Sequence, residues 1–268
     1  MRFSAILLLG LVMLITACSD GGGGDSGGDA NPQDDLLASI QWPQEPDHIV
    51  FRADVVGGAN FDSFLRLSEV PECTVYGDGR VVWVVENAQG DAQTVFNIVT
   101  PLDIRNFVST VTFNFDIYGQ ETAAEFALDT TPPVVEQLQI HINDVQHTTD
   151  ILGGWDYDYY EEILQLCIDM AGQPTIFEPA GAWLSVQATE FDTRSPLQRW
   201  DADITGVDLA ELAASGEPVW IEGRLLEVMW DLVERNPADL QLDQNGGIFW
   251  IALQIPNVTR SSPPTPNT

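Results

Sequence analysis

The sequence contains no lysine: all ten basic residues are arginine, set against 41 Asp and Glu for a formal net charge of −31. A chain this poor in cations has no basic stripe to offset its repulsion of phosphate backbones, which argues against nucleic acid as a partner. Catalytic signatures are missing too. No G-x-S-x-G elbow, P-loop, Rossmann glycine pattern or H-E-x-x-H is present, so the sequence offers no apparatus for nucleophilic catalysis and implies no cofactor. Nor does it contain an internal repeat or, between Ile40 and Pro256, a linker-like stretch long enough to separate one domain from another. What it does contain is a 44% hydrophobic complement over 268 residues, enough to bury a core, which rules out wholesale disorder.

The first residues, MRFSAILLLGLVMLITAC, place one cation, Arg2, before an apolar run from Ala5 to Ile15 and small residues before Cys18. This is the pattern of a secretory signal, too short for a spanning helix. Its end, Ile15-Thr16-Ala17-Cys18, resembles the lipobox of bacterial lipoproteins. The resemblance implies that the Cys18 thiol is acylated and that residues 1–17 are removed, leaving nine arginines against 41 acids. Residues 18–39 then read as a flexible tether, with six Gly and five Asp between positions 18 and 35. Such a tether reaches about 25 Å from the membrane lipid that holds Cys18. The expected location is the extracytoplasmic face of a cell membrane. With Cys18 lipidated, Cys73 and Cys167 remain as an even pair in an oxidising compartment, and a disulfide between them is expected.

Residues 40–256 read as a single α+β domain, an antiparallel sheet built from hairpins with two or three packed helices, and residues 257–268 as a disordered proline-rich tail. In ECTVYGDGRVVWVV, two β-rich runs flank Asp78-Gly79, a pair that suits a type I′ turn. That turn pairs Tyr76 with Val81 and Cys73 with Val84, and both resulting faces are apolar, so the hairpin is expected to be central and covered on both sides. Thr100-Pro101 starts a first helix carrying Ile104, Phe107, Val108 and Val111 at helical spacing. TFNFDIYG reads as a strand, and QLQIHINDVQHT as a hairpin about Asn143-Asp144. A second helix is predicted from Asp158, with Glu161 completing a capping box and Cys167 on its apolar stripe. Another follows from about Gly223 to Glu234, ahead of a closing hairpin at Asn245-Gly246-Gly247.

This order of features resembles a group of uncharacterised bacterial secreted lipoproteins that share a strand ending in Tyr-Gly-Asp-Gly, a basic residue and valines, matched here by Tyr76 to Val82 with Pro71 upstream. The resemblance covers roughly residues 51–255. It implies an α+β domain on a lipid anchor and carries over no catalytic residue.

His141, Asp144 and His147 form the one candidate metal cluster. If Asn143-Asp144 is the turn, His147 shares a face with Ile140 and Ile142 while His141 lies opposite, so no shared metal is expected. Asp243-x-Asn245-Gly246 lacks the downstream glutamate of a calcium loop and fits a turn better. Trp155, Tyr157 and Tyr159, interleaved with Asp156 and Asp158, are the candidate ligand-binding platform. These features favour a non-catalytic, membrane-anchored binding or accessory module for an unknown surface polymer, peptide or protein. The alternative is an extracytoplasmic hydrolase using a carboxylate pair, acting on glycans; it requires a cleft holding two carboxylates about 5–10 Å apart.

Overall fold

The computed structural model describes residues 39–58, 63–86, 90–122, 133–236 and 238–266. The signal segment, Cys18 and nearly all of the tether lie outside them. Among the described residues no helix is long and apolar enough to cross a membrane.

The fold is α+β, with two sheets. The first has seven antiparallel strands in the order β6-β5-β1-β2-β3-β4-β7. They are β1 (Ile49–Gly57), β2 (Cys73–Tyr76), β3 (Arg80–Glu86), β4 (Ala92–Ile98), β5 (Val134–Ile142), β6 (Val145–Asp150) and β7 (Thr175–Ile176). The second, ordered β10-β8-β12-β11-β9, joins β8 (Gly181–Ala188), β9 (Leu197–Arg199), β10 (Val219–Glu222), β11 (Gln241–Gln244) and β12 (Gly247–Gln254), with β9 and β11 parallel.

The β2–β3 hairpin is central, as its apolar faces require, but its register differs by one residue from the expected one: Cys73 pairs with Trp83 and Val75 with Val81. The turn is responsible. Only Gly79 takes a positive φ (90°), and its N–H bonds the Tyr76 carbonyl at 3.1 Å, so Asp78 keeps ordinary backbone angles. This makes a type I turn with a left-handed glycine, a three-residue connection rather than a two-residue type I′ turn. Gly77 is fixed by close approach, since a Cβ there would lie 2.2 Å from the Pro43 carbonyl oxygen. The Trp42 indole donates to the Gly77 carbonyl. At Asn143-Asp144 both residues do take positive φ, and the expected pairing of Ile142 with Val145 and Ile140 with His147 is found.

One face of the central hairpin, bearing Cys73, Val75, Val81 and Trp83, packs under α1 (Pro101–Phe113) and α2 (Tyr159–Ala171). Thr100 and Asp103 form a reciprocal capping box on α1. On α2 Asp158 makes no side-chain cap bond, because at φ −104° and ψ 10° it lacks the extended backbone from which an N-cap side chain reaches the second or third N–H. The stretch read as the strand TFNFDIYG is instead the end of α1 followed by a 3-10 turn at Ile117–Gly119, with Asp116 left-handed at φ 48°. The other face, bearing Tyr76 and Val82, meets the second sheet and α5 (Gly223–Arg235), whose Leu226, Met229 and Trp230 are buried. Two short helices, α3 (Ala202–Thr205) and α4 (Leu209–Ser215), complete this layer.

Residues 257–266, part of the tail expected to be loose, are packed. Val258 and Thr259 are buried, Thr259 Oγ1 accepts the Ile255 N–H at 3.0 Å, and the Trp183 indole donates to the Pro264 carbonyl at 2.9 Å. One buried valine and one charged anchor outweigh the polar composition of this short piece.

A disulfide joins Cys73 of β2 to Cys167 of α2, with Cα atoms 6.6 Å apart and a sequence separation of 94. It pins the first helical layer to the central strand. Replacing both cysteines by alanine should lower the unfolding free energy by up to about 4–5 kcal/mol, the chain-entropy value for such a loop. Urea unfolding of the oxidised protein against the double variant measures the loss, and unfolded, unreduced protein should show no reactive thiol from either position.

Candidate functional site

Where β1, β3 and β4 meet the second layer, the two sheets leave a cleft of about 370 Å³. Its floor is Asp54 and Val55 of β1, Val84 of β3 and Thr94 of β4; its roof is Trp230 and Glu234 of α5 with Ile251 of β12. The segment after β1, around the 3-10 turn Phe64–Arg66, closes one side and is tied to β12 by the Leu253 N–H donating to Ser68 Oγ at 2.8 Å.

Arg260, from the C-terminal segment, contributes to the wall. Its Nε and Nη2 donate to the two oxygens of Asp54, each at 2.7 Å, its Nη2 also reaches the Val55 carbonyl at 3.0 Å, and its Nη1 donates to Glu69. Asp54 is only 4% exposed, so this two-pronged pair is what makes its burial tolerable. Burial works against the charge on Arg260, but the hydrogen bonds and charges of Asp54 and then Glu69 outweigh it and hold the guanidinium protonated beyond its ordinary range. Glu69 is also bonded by Arg66, at 2.6 Å.

Two further carboxylates line the cleft. Glu72 accepts the O–H of Tyr160, whose own proton is held more tightly than usual, first by burial and then by Glu72. Glu234 accepts the Thr94 N–H at 2.7 Å, and burial raises its pKa above the ordinary carboxylate value. The Trp230 indole N–H is buried and has no hydrogen-bond partner.

The expected aromatic platform is not assembled. Trp155 stacks on Tyr160 and donates to Thr149 Oγ1 at 2.9 Å, and Tyr159 is buried with its O–H bonded to the Phe115 carbonyl. Only Tyr157 stands free, at 98% exposure. Helix phase explains the split: Tyr159 opens α2 on its core side, while Tyr157 sits in the preceding turn. His147 Nε2 lies 3.1 Å from the Gln120 carbonyl, whereas His141 packs against His48 on the other face, so the two imidazoles serve different neighbours. Among the described residues no group of three or more His, Cys, Asp or Glu is arranged to hold a metal ion.

Comparisons with protein-family models, curated proteins and solved structures find no match to this chain. The resemblance carried by Tyr76 to Val82 therefore stands without further support, and Gly77 and Gly79 have a local packing reason to be there. The cleft residues Asp54, Glu69, Glu72, Trp230, Glu234 and Arg260 were not singled out by sequence. Among 41 acids nothing marks the buried ones, and the one available signal was an arginine inside an apparently loose tail.

Removing the cleft's charged anchor tests its role. Arg260→Ala leaves Asp54 buried without its partner and should cost about 3–5 kcal/mol of stability, measured by chemical denaturation, with Asp54→Asn on the same background recovering some of the loss. Because the folded state raises the Glu234 pKa above 4.5, it binds that proton more tightly than the unfolded chain. The group's contribution to stability is therefore full below 4.5 and is lost as pH rises through the raised value. Glu234→Gln should remove that decline, seen as a flatter dependence of the denaturation midpoint as pH rises above about 4.5.

Proposed function

We propose that this chain is a lipid-anchored, extracytoplasmic binding protein that takes a small ligand into the cleft between its two layers, without transforming it. The cleft carries this reading. Its volume of about 370 Å³ falls in the range of small-molecule sites, and it joins apolar walls to a few convergent polar groups. The lipobox resemblance at Cys18 and the tether support the anchored location. Interior binding also accords with the absence of a surface aromatic platform, since Trp155 and Tyr159 serve the fold.

A second reading, hydrolysis by a carboxylate pair, is favoured by one observation. The Val84 N–H bonds the Glu72 carbonyl, and Val84 pairs with Thr94, which holds Glu234. The Glu72 backbone and the Thr94 N–H that holds the Glu234 carboxylate therefore lie two strand spacings apart, roughly 9–10 Å. Release of reducing ends from envelope glycans, abolished by Glu72→Gln and by Glu234→Gln alike, would favour hydrolysis over binding.

The binding reading is tested with N-phenylnaphthylamine, a neutral probe whose fluorescence rises in apolar sites. The protein should bind it with one saturable site, lost when Ala92→Trp fills the mouth of the cleft; no enhancement, or enhancement unchanged in that variant, contradicts a cleft site. In cells, Cys18→Ala should move the protein from the membrane to the soluble fraction, and unchanged membrane attachment would contradict the anchor.

A further inference from the structure

The carboxylates of the cleft differ in their company. Asp54 and Glu69 face Arg260, and Glu69 also faces Arg66. Glu72 and Glu234 meet no arginine within ion-pair distance among the described residues. They accept bonds from neutral donors, the Tyr160 O–H and the Thr94 N–H. A neutral donor orients a carboxylate but leaves its charge uncompensated. Glu234 adds a second penalty, because it lies in the last turn of α5, where the helix dipole is negative and a cation is preferred. Its neighbour Arg235 is engaged at 2.7 Å with Asp231, one turn back.

Around these charges the walls are apolar, from Val84, Leu240 and Ile251. Trp230 is 6% exposed and also lines the cleft, and its indole N–H lacks an acceptor. An orphaned buried donor is costly and marks a place where a partner belongs. The unmet needs of the cavity are therefore a positive charge for Glu234 and Glu72, an acceptor for Trp230, and apolar bulk between them. An anion is repelled, a sugar leaves the apolar walls uncovered, and a bare metal ion answers neither the walls nor the indole.

We propose that the cleft binds a small organic cation, an amine with an apolar body and a hydrogen-bond acceptor close to its nitrogen. The ammonium sits at Glu234 on the side facing Glu72, the acceptor takes the Trp230 N–H, and the apolar body lies along Val84, Leu240 and Ile251. This inference rests on the reading of the cleft as a ligand site.

Competition against bound N-phenylnaphthylamine tests the two separately. Three probes share one chain length: a vicinal aminohexanol, hexanediol as its neutral isostere and hydroxyhexanoate as its anionic counterpart. The aminohexanol should displace the fluorophore at about a tenfold lower concentration than hexanediol, as expected for one partly screened charge-assisted bond, and hydroxyhexanoate should be weaker still. Glu234→Gln should bring aminohexanol and hexanediol within about twofold of each other. Should that variant not fold, the wild-type comparison of cation and isostere decides alone. Equal displacement by all three overturns the cation proposal while leaving the cleft reading intact. Failure of the fluorophore to bind at all overturns both.

Discussion

A hairpin that is apolar on both faces cannot stand at a protein's surface, and the β2–β3 hairpin is such an element: Cys73, Val75, Val81 and Trp83 on one side, Tyr76 and Val82 on the other, all buried. It must be central in its sheet and covered twice, and the architecture follows. α1 and α2 supply one cover, stapled to the central strand by the Cys73–Cys167 disulfide. The second sheet and α5 supply the other. This second cover is itself a sheet with its own curvature, and twisted layers diverge towards their corners. The cleft lies between β1, β3 and β4 on one side and α5 with β12 on the other, where the second cover leaves these strands incompletely packed.

Electrostatics decides what this cleft can hold. In a chain with 41 acids and ten arginines, most carboxylates must go without a partner, and on the surface water solvates them at little cost. Pairs such as Arg194–Asp192, with the arginine 87% exposed, add little stability. Arg260 is different because it reaches across the molecule to a buried carboxylate on β1, and so builds the C-terminal segment into the cleft wall. Once Asp54 and Glu69 are neutralised in this way, the charge left at the site belongs to Glu72 and Glu234. An apolar cavity with that residual charge selects for a cation that carries hydrocarbon with it.

Much of the fold was legible in the sequence because it depends on local rules. Thr100-Pro101 placed α1, Asn143-Asp144 and Asn245-Gly246 placed two hairpins, and the apolar stripe through Ile163 and Cys167 placed α2 and pointed to the disulfide. The β2–β3 register was not legible, because Asp-Gly suits both two- and three-residue connections, and the packing of Pro43 and Trp42 on Gly77 is a contact distant in sequence. The tail was misread for a related reason: SSPPTPNT has no periodicity, and what orders the segment leading to it is Arg260 meeting Asp54, 206 positions away. The site was hidden altogether. Among the described residues Asp54 is the one acid buried outright and Glu234 is half-buried on α5, and burial is a property of the assembled layers. Conversely, Trp155, Tyr157 and Tyr159 stand out by composition, although helix phase buries Tyr159 and Trp155 packs half-buried against Tyr160, which leaves Tyr157 alone exposed.

The central claim, that a ligand enters beneath α5 and engages Trp230, is tested most directly in the indole region of a proton–nitrogen correlation spectrum as aminohexanol is added. The Trp230 resonance should shift progressively and saturate, because its N–H gains the acceptor it lacks. Those of Trp42, Trp155 and Trp200, already donating to Gly77, Thr149 and Val207, should stay in place. A Trp230 resonance that does not move while the others do would contradict the account.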